Sequence, residues 1–284
     1  MAPTSIAFVT DSTAYMPPDL LKQYNIHVVP NVVNWGTQTY RDGVDITSTQ
    51  FFERLKSDPV MPTTAVSGIG DFRDIYDAAA KTAEAVIGVH LSAKLSGTYS
   101  AAVQAQAMLP QHKITVIDSN ATAMALGFVV LAAARAAMAG GSFDEAVQAA
   151  NFAIPRVGVI FTVQTLEYLR RGGRIGGAQA FMGSLLDMKP ILELRDGRVE
   201  PVERVRTKKK AVERVLEMVI AKTAGKRPIR LATLHAAAPE EAATLLALAK
   251  EKLGADEDIL SEVSPTVGTH AGPGTVGLAY CTGI

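Results

Sequence analysis

Val86-Ile87-Gly88-Val89-His90-Leu91 runs directly into Ser92-Ala93-Lys94-Leu95-Ser96-Gly97-Thr98-Tyr99-Ser100, and the reading of this junction decides the fold. A short, nearly continuous apolar run reads as a strand buried on both faces. The small-residue segment after it opens a helix, Gly97 to Leu109, and another apolar run follows at Ile114 to Asp118. Strand, helix and strand in that order make a parallel crossover unit. Working outward, Ile6 to Thr10 and Val28 to Val33 read as further strands. Helical patterns fall at Pro18 to Tyr24, Ser48 to Lys56, Asp71 to Ala83 and Ala123 to Ala139. This grammar predicts an N-terminal α/β domain built on a parallel sheet with helices on both faces.

The pattern changes past a helix at Phe143 to Ala153 and a strand at Val157 to Thr162. Pro190 to Leu194 and Val199 to Val205 flank Arg195-Asp196-Gly197-Arg198, and Asp-Gly between two strand-like runs signals a hairpin. Helix Lys208 to Ala224, strand Ile229 to His235, helix Pro239 to Leu253 and strands Ile259 to Val263 and Thr275 to Tyr280 complete the reading. These predict a C-terminal α+β domain with a mixed or antiparallel sheet. The expected division is 1–156 and 157–284, with the boundary near Arg156.

The chain has 284 residues, 48% of them apolar, enough for two ordinary domains with large cores. Lys plus Arg equals Asp plus Glu at 28 each, so no overall field steers nucleic acid or an anionic bilayer. No nucleic-acid partner is expected, and at most transient membrane contact. Cys281 is the sole cysteine, which excludes an intramolecular disulfide and fits a reducing cytoplasm. Met1 to Ile6 lacks the basic and apolar regions of a secretory leader. The most apolar stretch, Ala123 to Ala134, meets Arg135 well short of the ~20 residues of a membrane span and reads as a buried helix.

Six segments carry chemistry. Val9-Thr10-Asp11-Ser12-Thr13 ends the first strand, where open parallel sheets bind ligands, although Asp11 or Ser12 equally suits a turn or cap. Met61-Pro62-Thr63-Thr64-Ala65-Val66-Ser67-Gly68 offers hydroxyls ahead of a helix, or simply leads into its cap. The Ser92–Ser100 segment presents the free amides of a helix start beside hydroxyls, which suits an anion, phosphate and carboxylate both being open. It is not a P-loop, because Gly-x-x-x-x-Gly-Lys-Ser/Thr is missing. Leu169-Arg170-Arg171-Gly172-Gly173-Arg174-Ile175-Gly176-Gly177 places three arginines among four glycines, for gripping an oxyanion or for capping a helix with solvated charge. Arg204-Val205-Arg206-Thr207-Lys208-Lys209-Lys210 sets three lysines in a first helical turn, against the helix dipole, which fits a partner surface or a solvated basic face. Last, His270 sits in what reads as a loop of glycines, Val267 to Gly277, where it can donate to an anion or exchange a proton.

Taken in order, Val-Thr-Asp-Ser-Thr, Leu-Ser-Gly-Thr-Tyr, Arg-Arg-Gly-Gly-Arg-Ile and Gly-Thr-His-x-Gly-Pro-Gly resemble the DegV family over essentially the whole chain. DegV proteins are the fatty-acid-binding subunits of bacterial fatty acid kinase. The resemblance implies two α/β domains and an acyl tunnel between or beside them. It also implies carboxylate contacts at Thr64, Ser96 and His270, joined by the Gly97 amide, with Ser12, Thr63, Thr98 and Arg170 as further pocket residues. A partner kinase would phosphorylate the bound carboxylate for phospholipid synthesis, docking at Arg206, Lys208 and Lys209. No cofactor and no catalysis by the chain itself are expected, and the expected state is a monomeric cytoplasmic protein. Where the family commonly reads Thr-Ser-Gln-Pro-Ser, this chain keeps Thr64 and continues Ala65-Val66-Ser67, which bears on the head group.

A buried carboxylate costs several kcal/mol unless it is hydrogen-bonded, and hydroxyls, an amide and an imidazole satisfy most of its lone pairs. The tail gains roughly 0.8 kcal/mol per buried methylene. Two other classes compete. One is a serine hydrolase with Ser96 as nucleophile and His270 as base, which needs a third group to orient the base and lacks a Gly-x-Ser-x-Gly elbow. The other is a kinase acting alone, for which no nucleotide motif is present.

Overall fold

The computed structural model describes residues 6–184 and 188–284; residues 1–5 of the stretch read for a leader lie outside these. The chain runs β1 (Ile6–Asp11), α1 (Pro18–Gln23), β2 (Ile26–Val29), β3 (Val32–Trp35), β4 (Gln38–Arg41), α2 (Ser48–Leu55), β5 (Thr63–Ala65), α3 (Ile69–Ala80), β6 (Ala85–His90), α4 (Thr98–Ala107), β7 (Lys113–Asp118), α5 (Ala123–Met138) and α6 (Phe143–Ala153). It continues through β8 (Val157–Thr162), α7 (Glu167–Arg171), β9 (Lys189–Arg195), β10 (Arg198–Val205), α8 (Lys208–Thr223), β11 (Ile229–His235), α9 (Pro239–Leu253), β12 (Glu257–Ile259), α10 (Pro265–Ala271) and β13 (Val276–Thr282).

The N-terminal sheet is wholly parallel, in the order β2-β1-β6-β7. Every residue of β1 and β6 is buried, which is why both read as continuous runs without alternation. Side chains still alternate by face. Ala7, Val9 and Val86 pack with Phe72 of α3 and Ala102 of α4, whereas Ile6, Phe8, Ile87 and Val89 pack with α5. In α5, 12 of 16 residues are buried, so it is apolar all round as far as Arg135 and lies between layers. Its far side meets the second sheet through Val159, Phe161, Ala232, Leu234 and Ala279.

That second sheet is mixed, ordered β10-β9-β8-β13-β11-β12, antiparallel throughout except for the β11–β12 pair. Its outer face, with Ile160, Leu231 and Leu278, is covered by α8 and α9. The result is five stacked layers: helices, parallel sheet, α5, mixed sheet, helices. The expected hairpin is present as β9–β10, with Asp196 (φ 50°) and Gly197 (φ 75°) both in the left-handed region that such a two-residue turn requires. No described helix is long and apolar enough to cross a membrane.

Three expectations change. The strand expected over Val28–Val33 is two strands, β2 in the parallel sheet and β3 in a small antiparallel sheet β4-β3-β5. They part at Pro30-Asn31, where proline brings no amide to a ladder and the Asn31 amide donates to Ser12 Oγ at 3.0 Å. The strand expected over Ile259–Val263 is confined to Glu257–Ile259. Beyond it the Thr233 hydroxyl takes the place of a ladder partner, donating to the Ser261 carbonyl and accepting from the Ser261 amide, each at 2.7 Å. The segment expected as a loop around His270 is instead helix α10. Ser264 caps it by accepting from the Val267 amide, and Pro265 occupies its first position. Gly268 allows its close approach to α2, since a Cβ there would lie 2.6 Å from the Phe52 ring.

Candidate functional site

A cavity opens where the carboxyl ends of the parallel strands face α10 and the inner face of the mixed sheet. Its polar end is lined by Asn31, Thr64, Ser96, Arg174 and His270, its apolar part by residues such as Val159, Phe161, Leu194, Val199 and Leu234. The space open to the centre of a water molecule is ≈160 Å³. Such a shape, apolar with a few convergent polar groups at one end, suits an amphipathic ligand.

Thr64 and His270 meet at that polar end, with Thr64 Oγ1 2.8 Å from His270 Nε2. β5 presents Thr64 by pairing it with Val33, and Thr63, one residue earlier on the strand, is exposed. His270 lies in the last turn of α10. Burial first, and then the nearby Arg174 charge, lower its pKa to about 4, so the imidazole is neutral at pH 7. A neutral ring can donate one hydrogen bond to a carboxylate but does not offer the proton exchange near neutrality expected from its sequence context. His270 Nδ1 is buried and has no hydrogen-bond partner among the described residues. Arg174 is held at the cavity wall by donating from Nε to the Leu95 carbonyl at 2.9 Å and from Nη1 to the Gly172 carbonyl at 2.6 Å. Gly172 packs against the imidazole so closely that a Cβ would stand 1.9 Å from Nδ1.

Ser96 is held from behind. Its hydroxyl lies 2.8 Å from Thr98 Oγ1, which donates to Asn31 Oδ1 at 3.4 Å, and Asn31 Nδ2 donates to Asp11 Oδ1 at 3.3 Å. Asp11 anchors the chain. It accepts from Thr13 Oγ1 (2.6 Å) and the Leu91 amide (2.9 Å) and lies 3.2 Å from His90 Nδ1, whose Nε2 meets the Tyr76 hydroxyl at 2.7 Å. Burial alone would raise the Asp11 pKa; the bonds from His90, Thr13 and Leu91 outweigh it and hold the carboxylate below its ordinary value. A second buried carboxylate, Asp42, accepts from Ser12 Oγ (2.9 Å) and from the Thr266 amide at the start of α10 (3.2 Å). Burial pushes its pKa up to about 6, against the opposing hydrogen bonds.

Comparison with known proteins bears on what this cavity belongs to. The sequence model of the DegV family, described as an uncharacterised protein family, matches residues 5–283. The chain belongs to the DegV family. It is 43% identical to a DegV domain-containing protein of Streptomyces coelicolor over 96% of this chain and 97% of the relative. It is 36% identical to protein DegV of Bacillus subtilis, covering 98% and 99%. Among solved structures, a DegV family protein from Thermus thermophilus, described for its fatty acid binding, superposes with a TM-score of 0.92 at 37% identity, covering 98% and 99% of the two chains. The Bacillus subtilis DegV structure, described as a fatty acid binding protein, gives 0.90 at 35% identity with the same coverage.

Within this DegV chain, Thr64, Ser96 and His270 line one cavity, but several other expected residues do not. Arg170 is exposed and pairs with Glu167 at 2.7 Å; Arg174, one turn on, is the arginine of that run at the cavity. Ser12 is buried behind the site and bonds Asp42, and its neighbour Thr13 lines the cavity instead. Thr98 is buried as the support of Ser96, and Gly97 heads α4 at an exposed position. Arg206 and Lys209 are exposed, while Lys208 pairs with Glu241 at 2.8 Å beside Gly274, in the turn that follows α10. Asn31 also lines the cavity and belongs to no motif of the sequence; its local mark is Pro30, which ends the parallel strand just before it.

Proposed function

We propose that this chain binds a long-chain fatty acid, with the carboxylate at Thr64, Ser96 and His270, joined by the Gly97 amide, and the acyl tail in the apolar part of the cavity. The observation that carries this reading is the Thr64–His270 pair, at 2.8 Å, at the polar end of a cavity whose remaining part is walled largely by apolar side chains. Arg174 adds a positive charge beside that end, which favours an anion. The fatty acid binding described for the Thermus thermophilus and Bacillus subtilis proteins supports the same ligand class.

In this reading the chain is a carrier rather than a catalyst. A serine hydrolase needs Ser96 bonded to its base and a third group on the far nitrogen. Here Ser96 pairs with Thr98, His270 pairs with Thr64, and Nδ1 of His270 meets no partner among the described residues. The acyl group would be presented to an ATP-dependent fatty acid kinase docking at Arg206, Lys208 and Lys209, close to the turn after α10. The protein would act as a cytoplasmic monomer without a cofactor, divided near Arg156 into the two sheet units.

Native mass spectrometry of the protein as purified, followed by denaturation and lipid analysis, tests the ligand. A bound C14–C20 fatty acid that is lost in Ser96→Ala and His270→Ala is expected. An empty protein that takes up no added fatty acid would contradict the reading.

A further inference from the structure

The polar and apolar parts of the cavity are laid out along β8. Thr162, the last residue of that strand, leads through α7 to Gly172, which packs on His270. Moving back along the strand, Phe161 and then Val159 line the same cavity, two residues apart and therefore about 7 Å further from the polar end. Val159 is opposite Leu194 on β9, a cross-strand pair whose side chains share the inner face of the sheet. Both residues also line a second cavity of ≈620 Å³, which continues in the same direction past Gly158 and Val157. The opposite wall is the start of α5 and the two residues before it, with Thr122 and Ala123 on the first cavity and Ala121 and Ala125 on the second. The second cavity changes character: Glu193, paired with Lys222 at 3.0 Å and also with Arg195, stands on its wall together with Lys94.

We infer that the Val159–Leu194 pair is the stop that sets the greatest acyl chain length this protein accepts, by walling the tail cavity off from a charged cavity behind it. The inference rests on the fatty acid reading above. A terminal methyl reaching the pair meets two aliphatic side chains and stays dry. A longer chain has to displace them or enter a space lined by Glu193, Lys222 and Arg195, where a methylene gains little from leaving water. Trimming either member opens the way, and each pair of methylenes then accommodated improves affinity by about tenfold.

The test measures dissociation constants for saturated fatty acids from C12 to C22 with the full-length wild type, Leu194→Ala, Val159→Ala and Leu194→Phe. The wild type is expected to show an optimum and a steep loss beyond it. Leu194→Ala and Val159→Ala should move that edge to longer chains, changing the ratio of C18 to C16 affinity by about tenfold, while Leu194→Phe moves it to shorter ones. A long α,ω-dicarboxylic acid should bind the alanine variants better than the wild type, because its far carboxylate reaches Lys222 and Arg195. Alanine variants that bind C16 yet keep the wild-type length profile would overturn the stop. If the wild type bound no fatty acid of any length, the underlying ligand reading would fall, and the stop with it. Two alanine variants are specified so that one that fails to fold leaves the other to give the answer.

Discussion

His90 and His270 are both histidines withdrawn from water at the carboxyl end of the parallel sheet, yet they are built for different work. Around His90 every valence is used: Nδ1 faces the Asp11 carboxylate, Nε2 faces the Tyr76 hydroxyl, and the ring is fully buried. Around His270 the network is left open, with Thr64 on Nε2, no hydrogen-bond partner for Nδ1 among the described residues, and a cavity beside the pair. A saturated network in a low-dielectric interior rigidifies and specifies the fold, whereas an unsaturated one marks where something else is meant to bind. The two are linked, since Asp11 reaches Ser96 through Asn31 and Thr98. The finished network is the scaffold on which the unfinished one is held.

The contrast breaks most visibly at Asp11. Asp11→Ala strips the partner from His90, Leu91, Thr13 and Asn31 together, and is expected to cost about 3–5 kcal/mol of stability, read from the urea midpoint. A change under about 1 kcal/mol would mean that the network is not the scaffold.

At the open end the effect should fall on binding rather than on folding. Gly172→Ala drives a methyl into the His270 ring and should weaken fatty acid binding by about ten- to a hundredfold, the loss of a hydrogen bond to a charged group, as titration calorimetry would read it. His270→Ala should match it, and the double variant should add little, because both act on one ring. Additive losses would separate the glycine from the imidazole.

The pH response sharpens the comparison. The folded chain holds His270 near pKa about 4, below the 6.5 of a free histidine, so the unfolded chain takes up a proton that the native one refuses. This stability is fully present above pH 6.5 and is lost as pH falls from there to about 4. Asp42, raised to about 6 from 3.8, works the other way, the folded form taking up its proton first and gaining stability as pH falls from about 6 to 3.8. Relative to His270→Asn, the wild type should therefore lose stability between pH 7 and pH 5 in the empty state. A bound carboxylate raises the imidazole pKa and should shrink that difference. An identical difference at both pH values would contradict the buried neutral histidine.

The smallest effect belongs to Arg170. Its pair with Glu167 is exposed and screened by solvent, and Arg170→Ala should leave fatty acid affinity unchanged.

What was legible in the sequence follows from how local each cause is. β1 and β6 could be read because burial on both faces leaves an apolar run, and the β9–β10 hairpin because Asp196-Gly197 carries its own turn geometry. Thr64, Ser96 and His270 entered through a resemblance to a family; nothing in their spacing says that residues over 200 positions apart meet at one cavity end. α10 was hidden because Gly268 and Gly272 read as loop, although Ser264-Pro265 is a sound helix start. The end of β12 was hidden by a contact across the sheet, from Thr233 to Ser261, which no local pattern reports. That Arg174 and not Arg170 faces the cavity likewise follows only from the fold, since the two differ only in which way a short helix and its glycine turn carry them.

The most direct test of the account is a crystal structure of the protein with palmitate. The account predicts the carboxylate within hydrogen-bonding distance of Thr64 Oγ1, Ser96 Oγ and His270 Nε2, with the tail running past Phe161 toward Val159 and Leu194. A carboxylate at the opposite end of that cavity, or a lipid seated outside it, would contradict it.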